Sequence, residues 1–432
     1  MRRLRLGRLG AAFPRAVGVL AGVRSRRGAS SPGVAVSLLL LALAALLLQA
    51  CSGAASGTSP SEGSGKTTGV SMPAGLKGSS AAVRCGALVA GLGQAERAVA
   101  KAAPGSTVCL KAGSYSGALS LNAKPAGYVT LTAAPGAHVE TGSIKLSGSH
   151  LAISDLWIHG EVALTAGTSD IAIVHDDISN AGGAGGEGIV FETSDCTAPN
   201  APKWEGCEAQ APISGVAILA NHIHDIGAGA SEDAIHLDNW REVRIEGNEL
   251  DHVVESGKHT DCLQSVYGGE GLVFDRNYEH DNDCQGIFIK DGDASNVSVA
   301  DNLFVRDEIG SYANFSQIWN VKGLTVEHNT IWDGKGLALV ADEASFQPTA
   351  TVERNLIATF TLEQPTGTPY AIAEGHNDFG QAPWSFKPSR TDRTVAHPRF
   401  VAPARGDYRL AHNRRGIGVD WTPAGQSYGP IS

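Results

Sequence analysis

One six-residue pattern, apolar-x-apolar-x-x-Asn, recurs along the middle of the chain. It reads Val216-x-Ile218-x-x-Asn221, Val243-x-Ile245-x-x-Asn248 and Leu272-x-Phe274-x-x-Asn277. It continues as Val297-x-Val299-x-x-Asn302 and Leu324-x-Val326-x-x-Asn329, and a last copy ends Ala350-x-Val352-x-x-Asn355. Ile171-x-Ile173-x-x-Asp176 is an earlier copy, and Leu151-x-Ile153, with Leu156 in the Asn position, an earlier one still. The asparagines are 27, 29, 25, 27 and 26 residues apart. Alternating apolar residues mark short strands. A unit of this length cannot bury its own apolar face, so neighbouring units must stack into a solenoid. The residue supply agrees: Gly is abundant at 53, Met nearly absent at 2, and no long amphipathic helical pattern appears after residue 105. An all-β repeat protein is predicted.

The first 50 residues stand apart. They hold eight Arg, no acid and an apolar run from Val34 to Leu48 broken only by Ser37. Leu48-Gln49-Ala50-Cys51 follows, then Ser52-Gly53. This resembles a bacterial lipoprotein signal, which implies cleavage before Cys51, lipidation of Cys51 and an exported chain anchored to the membrane through that lipid alone. Residues 1–50 are then the signal peptide, and 51–80, rich in Gly, Ser and Thr, a flexible tether. The folded domain is expected over 81–420, with 421–432 as a C-terminal tail. Removing the eight Arg from 34 Lys+Arg leaves 26 against 44 Asp+Glu, a net charge of −18. Such a surface repels nucleic acid, so none is expected as a partner; it also repels polyanionic sugars unless a cation intervenes. A monomer is expected.

Seven Cys are present. With Cys51 assigned to lipid, six remain in an exported domain, which suggests three disulfides. Proximity in sequence pairs Cys85 with Cys109, Cys196 with Cys207 and Cys262 with Cys284. The last two Cys fall in equivalent strands of consecutive repeats, where stacked strands lie about 4.8 Å apart, a spacing a disulfide can span.

Residues 86–103 read as a short capping helix, followed by Gly105-Ser106-Thr107-Val108-Cys109-Leu110 and Gly113-Ser114-Tyr115. This opening and the central repeats resemble the right-handed parallel β-helices of the pectate-lyase-like superfamily. The resemblance implies a helix plugging the first coil and a column of inward asparagines bonding backbone in the turns. His397-Pro398-Arg399-Phe400-Val401 and Gly406-Asp407-Tyr408-Arg409-Leu410 resemble the closing segment of bacterial β-helix proteins. A right-handed parallel β-helix with an N-terminal capping helix is the expected fold.

Counting from each Asn aligns a second strand per coil: Glu187-Gly-Ile189-Val-Phe191-Glu192, Asp233-Ala-Ile235-His236-Leu237-Asp238 and Asp261-Cys-Leu263-Gln264-Ser265-Val266. Gln285-Gly-Ile287-Phe288-Ile289-Lys290 and Ser316-Gln-Ile318-Trp319-Asn320-Val321 follow. Alternation sends Ile235, Leu237, Ile287 and Ile289 inward. The outward columns are then Glu187, Asp233, Asp261, Gln285; Val190, His236, Gln264, Phe288, Trp319; and Glu192, Asp238, Val266, Lys290. A solvated face would be mixed; this one gathers acids, histidines, an amide and a lysine, with His259 nearby. The insertion at 193–212 is a candidate groove wall. His222, His224, His252 and His280 are assigned to turns, with structural roles.

Three functions are compatible with these columns. The resemblance implies a polysaccharide lyase that cleaves a uronate-containing glycan by β-elimination, with Ca²⁺ as cofactor. In that reading Asp233, Asp238 and Asp261 hold the metal, Lys290 is the base with Lys258 or His259 as alternatives, His236 donates the leaving-group proton, and Asp261 joins the catalytic set. His259, Gln264, Phe288 and Trp319 would contact the sugar. The second is a polygalacturonase-like hydrolase using Asp233 and Asp261, although the Gly-His-Gly and Arg-Ile-Lys signatures of those enzymes are missing. The third is a non-catalytic carbohydrate-binding protein of the cell envelope.

Overall fold

The computed structural model describes residues 83–179, 186–195, 208–209, 211–227, 233–255, 259–290, 292–307, 315–334, 336–343, 346–383, 385–413 and 415–430. The signal peptide, the tether, Cys51, Cys196, Cys207 and Lys258 lie outside them. The described residues form a right-handed parallel β-helix with three faces. The first face stacks Leu119–Leu121, Ile144–Leu146, Val162–Thr165 and Ile189–Glu192. It continues with the leading halves of Ile235–Glu246 and Leu263–Asp275, then Ile287–Ile289, Phe315–Trp319 and Gly336–Val340. The trailing halves of the two long strands belong to the second face, which carries the repeated apolar pairs. A separate 12-stranded sheet, with strands such as His222–His224 and Tyr278–His280, is the third face.

The asparagine column sits at the corner between the second and third faces. Each Asn stops the second-face strand because the residue before it turns left-handed, with φ from 52° at Ala220 through 54° at Arg276 to 65° at Gly247. A non-glycine residue in that conformation costs about 1–2 kcal/mol. The column offsets this. Asn248 N–H donates to Asn277 Oδ1 at 3.0 Å, and Asn248 Nδ2 donates to Ile218 O at 3.0 Å. Asn277 makes the same bonds to Asn302 and Ile245, and Asn302 to Asn329 and Phe274. Every amide is fully buried. The ladder extends past the last sequence copy: Asn355 N–H bonds Asn377 Oδ1 at 3.0 Å, and Asn377 N–H bonds Asp392 Oδ1 at 2.7 Å. Asn377 escaped the pattern because Glu374 stands where the second apolar residue belongs, in register with Val352.

The ends differ from expectation in detail. Residues 87–89 pair with Thr107–Leu110, so the capping helix is shorter than 86–103 and spans Leu92–Lys101. It buries Ala95 and Val99 over the first coil. Its Glu96 accepts a hydrogen bond from Ser120 N–H at 2.9 Å, covering the edge of the first face. At the other terminus, Phe400–Ala402 pairs antiparallel with Asp407–Leu410. This segment does not cover the last coil. It runs back along the third face, where Tyr408, Val419 and Trp421 pack on Tyr278, Leu303 and Val305. Residues past 420 are part of this strap: Trp421 Nε1 donates to Asp301 O at 2.7 Å and Gly429 N–H to Ala220 O at 3.0 Å. Disulfides join Cys85 to Cys109 and Cys262 to Cys284, each with Cα atoms 5.5 Å apart.

Two substitutions probe the column. Asn302→Ala strips bonds from four buried groups and should lower unfolding free energy by about 2–4 kcal/mol in chemical denaturation. Asp176 occupies an Asn position, and burial pushes its carboxyl well above the ordinary range. A raised folded pKa favours the fold below the unfolded value and disfavours it as pH rises. Asp176→Asn should therefore stabilise at neutral pH by about 1 kcal/mol or more. An unchanged midpoint in both variants would contradict the role given to the ladder.

Candidate functional site

The outward residues of the first face follow the predicted columns over three coils. His236 pairs with Gln264, and Gln264 with Phe288. The fourth coil departs: Phe288 pairs with Gln317 and Ile289 with Ile318, so Trp319 lies one pair further along, beside Lys290. The sequence alignment had put Trp319 next to Phe288. The slip is two residues, which keeps the side chain outward but moves it one column. It arises because the stretch of sequence between Asn302 and Phe315 holds no repeated residue from which to count. Gln317, missed in sequence, takes the place beside Phe288 and accepts a hydrogen bond from Trp319 Nε1 at 3.0 Å.

Three acids of the outward columns are recessed rather than solvated. Asp233, Asp238 and Asp261 are all buried, Asp261 completely. Asp233 and Asp261 use one local motif: each stands two residues before a strand and binds the polar side chain three residues on. His236 Nδ1 donates to Asp233 Oδ2 at 2.9 Å, and Gln264 Nε2 donates to Asp261 Oδ2 at 2.7 Å. Asp233 also clamps the next coil by accepting Asp261 N–H at 2.7 Å. His236 Nε2 donates to Asp238 Oδ1 at 2.9 Å. Beneath this corner, fully buried Trp240 donates to Ser265 Oγ at 2.7 Å and stacks over Gly269, where a Cβ would come within 2.2 Å of its ring.

His236 is the electrostatic centre. Burial alone would lower its pKa, but the hydrogen bonds and charges of Asp233 and Asp238 outweigh burial and raise it to about 10. At neutral pH it is an imidazolium with both N–H groups committed to carboxylates. Glu187 lies 3.8 Å from its Nδ1, and burial raises the Glu187 carboxyl. These facts bear on two sequence expectations. A calcium ion takes 6–8 oxygen ligands. Here the imidazolium fills the space between Asp233 and Asp238, while Gln264 and His259 bind Asp261, the latter at 3.3 Å. The donors that converge are Glu187, Asp233 and His236, not three aspartates. The residues present fit an internal cation and do not offer calcium a set of open oxygen ligands. His236 is likewise placed to organise the two acids rather than to release a proton.

Beyond this cluster the face becomes open and mixed. His259 hydrogen-bonds Gln285 through Nε2, its Nδ1 lies 3.3 Å from Asp261 Oδ2, and its ring meets Phe288 edge-on with centroids 4.9 Å apart. Lys290 Nζ lies 4.7 Å from the centroid of the Trp319 ring. Lys290, Phe288, Trp319, Gln264 and His259 thus line one continuous stretch of the first face, with His236, Asp233, Asp238 and Asp261 beneath its N-terminal side. At the foot of the 193–212 insertion, Ser194–Asp195 pairs antiparallel with Glu208–Ala209.

No family model and no curated sequence matches the chain. Several solved β-helices are similar in general shape. A mutant form of the PL6 family alginate lyase AlyGC is 12% identical, covering 80% of this chain and 58% of that one, with a TM-score of 0.46. This chain therefore spans little more than half of that protein. Pectate lyase Pel9A is 10% identical over 76% of this chain and 82% of its own, with a TM-score of 0.36. PfbA, a surface adhesin of Streptococcus pneumoniae, is 11% identical over 64% and 73%, with a TM-score of 0.35. At such values these likenesses assign no residue of this chain a role.

The state of His236 is measurable. Its folded pKa is raised, so its stabilisation is complete below about pH 6.5 and is lost as pH rises toward about 10. Comparing denaturation midpoints of the wild type and His236→Gln across this window should show a gap that narrows steadily above neutrality. A gap constant from pH 6 to pH 10, on the order of the whole window, would contradict the buried imidazolium.

Proposed function

We propose that this chain holds a uronate-containing polysaccharide along the first face and cleaves it by β-elimination. The observation that carries the reading is the pairing of Lys290 with Trp319 on adjacent coils, 4.7 Å apart. An anionic sugar needs a cation for its carboxylate and an aromatic surface for its ring. These two side chains supply both at one place on a surface that is otherwise strongly acidic. Lys290 is therefore assigned to the uronate carboxylate, where its charge stabilises the carbanion that develops when the α-proton leaves.

His259 is assigned as the base. It touches Phe288, two residues from Lys290, and is about one-third exposed, 35% for its side chain. In the proposed step His259 takes the proton from the carbon α to the carboxylate. The electron pair forms a carbon–carbon double bond, the glycosidic C–O bond breaks, and the departing oxygen takes up the proton from His259. Asp261 and Gln285 hold the imidazole in place, and His236 fixes Asp233 and Asp238 behind it. A hydrolase acting through Asp233 and Asp261 would need carboxylates open to substrate, and both are buried and hydrogen-bonded. The lipobox-like segment ending at Cys51 extends the proposal to a site of action outside the cell, on a membrane tether.

The test is a panel of polyuronates incubated with the processed chain. New ultraviolet absorbance from unsaturated uronate ends is the expected result. Lys290→Ala should lower kcat/KM by about 100-fold or more. Trp319→Ala should weaken substrate binding by about ten-fold, with a smaller effect on kcat. New reducing ends without ultraviolet absorbance would show hydrolysis instead, and binding without either signal would show a carbohydrate-binding protein. Each of those outcomes overturns the elimination reading.

A further inference from the structure

A second constellation of histidine and carboxylate lies on the third face, away from the groove. Sequence position had assigned His222 and His224 to turns. The structure puts both on the strand His222–His224, pointing outward on the same side, with ring planes 18° apart and centroids separated by 4.1 Å. Asp177 on the preceding coil faces them, since Asp177 pairs with His222. Its two oxygens are divided between the rings: Oδ2 lies 3.3 Å from His222 Nδ1, and Oδ1 lies 3.1 Å from His224 Nε2. One ligand atom from each of the three residues falls within 4.8 Å of the others.

The far side of each ring is what distinguishes this group from an ordinary ion-pair ladder. His222 Nε2 is held by Asp251 Oδ1 at 2.7 Å, and His224 Nδ1 by Asp225 Oδ2 at 2.7 Å. A histidine that binds a metal almost always gives its other N–H to a carboxylate or carbonyl, which fixes the tautomer and raises the basicity of the ligating nitrogen. Both rings here have that arrangement, and in both the inner nitrogen faces the same carboxylate. His236 on the first face differs. It too has an acid on each nitrogen, but it is a single ring, and no second imidazole converges with it on one carboxylate.

We infer that Asp177, His222 and His224 form a binding site for a divalent transition-metal ion such as Zn²⁺ or Co²⁺. The donor set is two imidazole nitrogens and one carboxylate, which suits a borderline ion rather than calcium or magnesium. Three protein ligands leave at least one coordination position for water. Asp251 and Asp225 are the outer partners. All three ligands are partly exposed, so an ion can enter from solvent. The strap passes beside the site at Gly429, where any side chain would meet Cβ of His222 at 3.5 Å and Cβ of Asp177 at 3.8 Å. Glycine there serves the left-handed backbone, with φ of 69°.

The experiment is a titration of the full chain, without a histidine tag, with Co²⁺ and then Zn²⁺. The expected result is uptake of one Co²⁺ per chain with visible d–d absorption, displaced by one equivalent of Zn²⁺. His224→Ala and the nearly isosteric Asp177→Asn should each abolish stoichiometric uptake. Asp251→Ala, which removes an outer partner, should weaken it by about 10–100-fold. His138→Ala, an exposed histidine elsewhere, should leave it unchanged. Circular dichroism of each variant confirms that the β-helix has formed. Absence of stoichiometric uptake by the wild type, or uptake that persists in folded His224→Ala and Asp177→Asn, would overturn the assignment.

Discussion

The buried asparagine ladder is the interaction on which the rest of this structure depends. A solenoid coil must turn its corners inside a stack, where a turn's polar backbone groups cannot all reach water. Each column amide answers that need twice, by accepting from the N–H of the column residue on the preceding coil and by donating to a strand carbonyl. It thereby holds the preceding residue left-handed, even where that residue is Ala220, Arg276 or Asp301. Because one amide touches two neighbouring coils, the ladder fixes vertical register as well as the turn. The carbonyls of Ala220, Asp301 and Arg354 at this same corner are where the C-terminal strap attaches. The strap occupies the third face and leaves the first face open.

Register at the corner becomes chemistry on the first face. With coils held in step, Asp233 can accept the backbone N–H of Asp261, and His236 can fall between Asp233 and Asp238. Asp233 and Asp238 are thus buried around one shared cation, which avoids the penalty of burying unpaired charge. The result is a rigid polar floor that carries its own positive charge. Lys290 lies outside it, 4.7 Å from the centroid of the Trp319 ring.

Much of this was legible in the amino-acid sequence, for a physical reason. A repeated corner demands a repeated residue, so Asn221 to Asn355 announce the coil and its length, and the inward alternation follows. Cys262 and Cys284 could be paired because stacking brings equivalent positions within disulfide reach. What the repeat could not convey is anything carried by loops of unequal length. Trp319 slipped by two residues for that reason, and Gln317 went unnoticed. Asn377 was hidden by the polar Glu374 beside it. His222 and His224 were misplaced because a strand of three residues leaves too short a pattern to read. Burial was also invisible: Asp233, Asp238 and Asp261 look in sequence like solvated calcium ligands, whereas all three are buried and hydrogen-bonded, Asp233 and Asp238 to His236 and Asp261 to Gln264.

The account stands or falls on where a polyuronate lies. A crystal structure of the Lys290-containing, His259→Ala chain soaked with a short oligouronate would locate it directly. The account predicts sugar density along the first face, with one ring against Trp319 and its carboxylate within hydrogen-bond distance of Lys290 Nζ. Density confined to another face, or a bound carboxylate that does not approach Lys290, would contradict it.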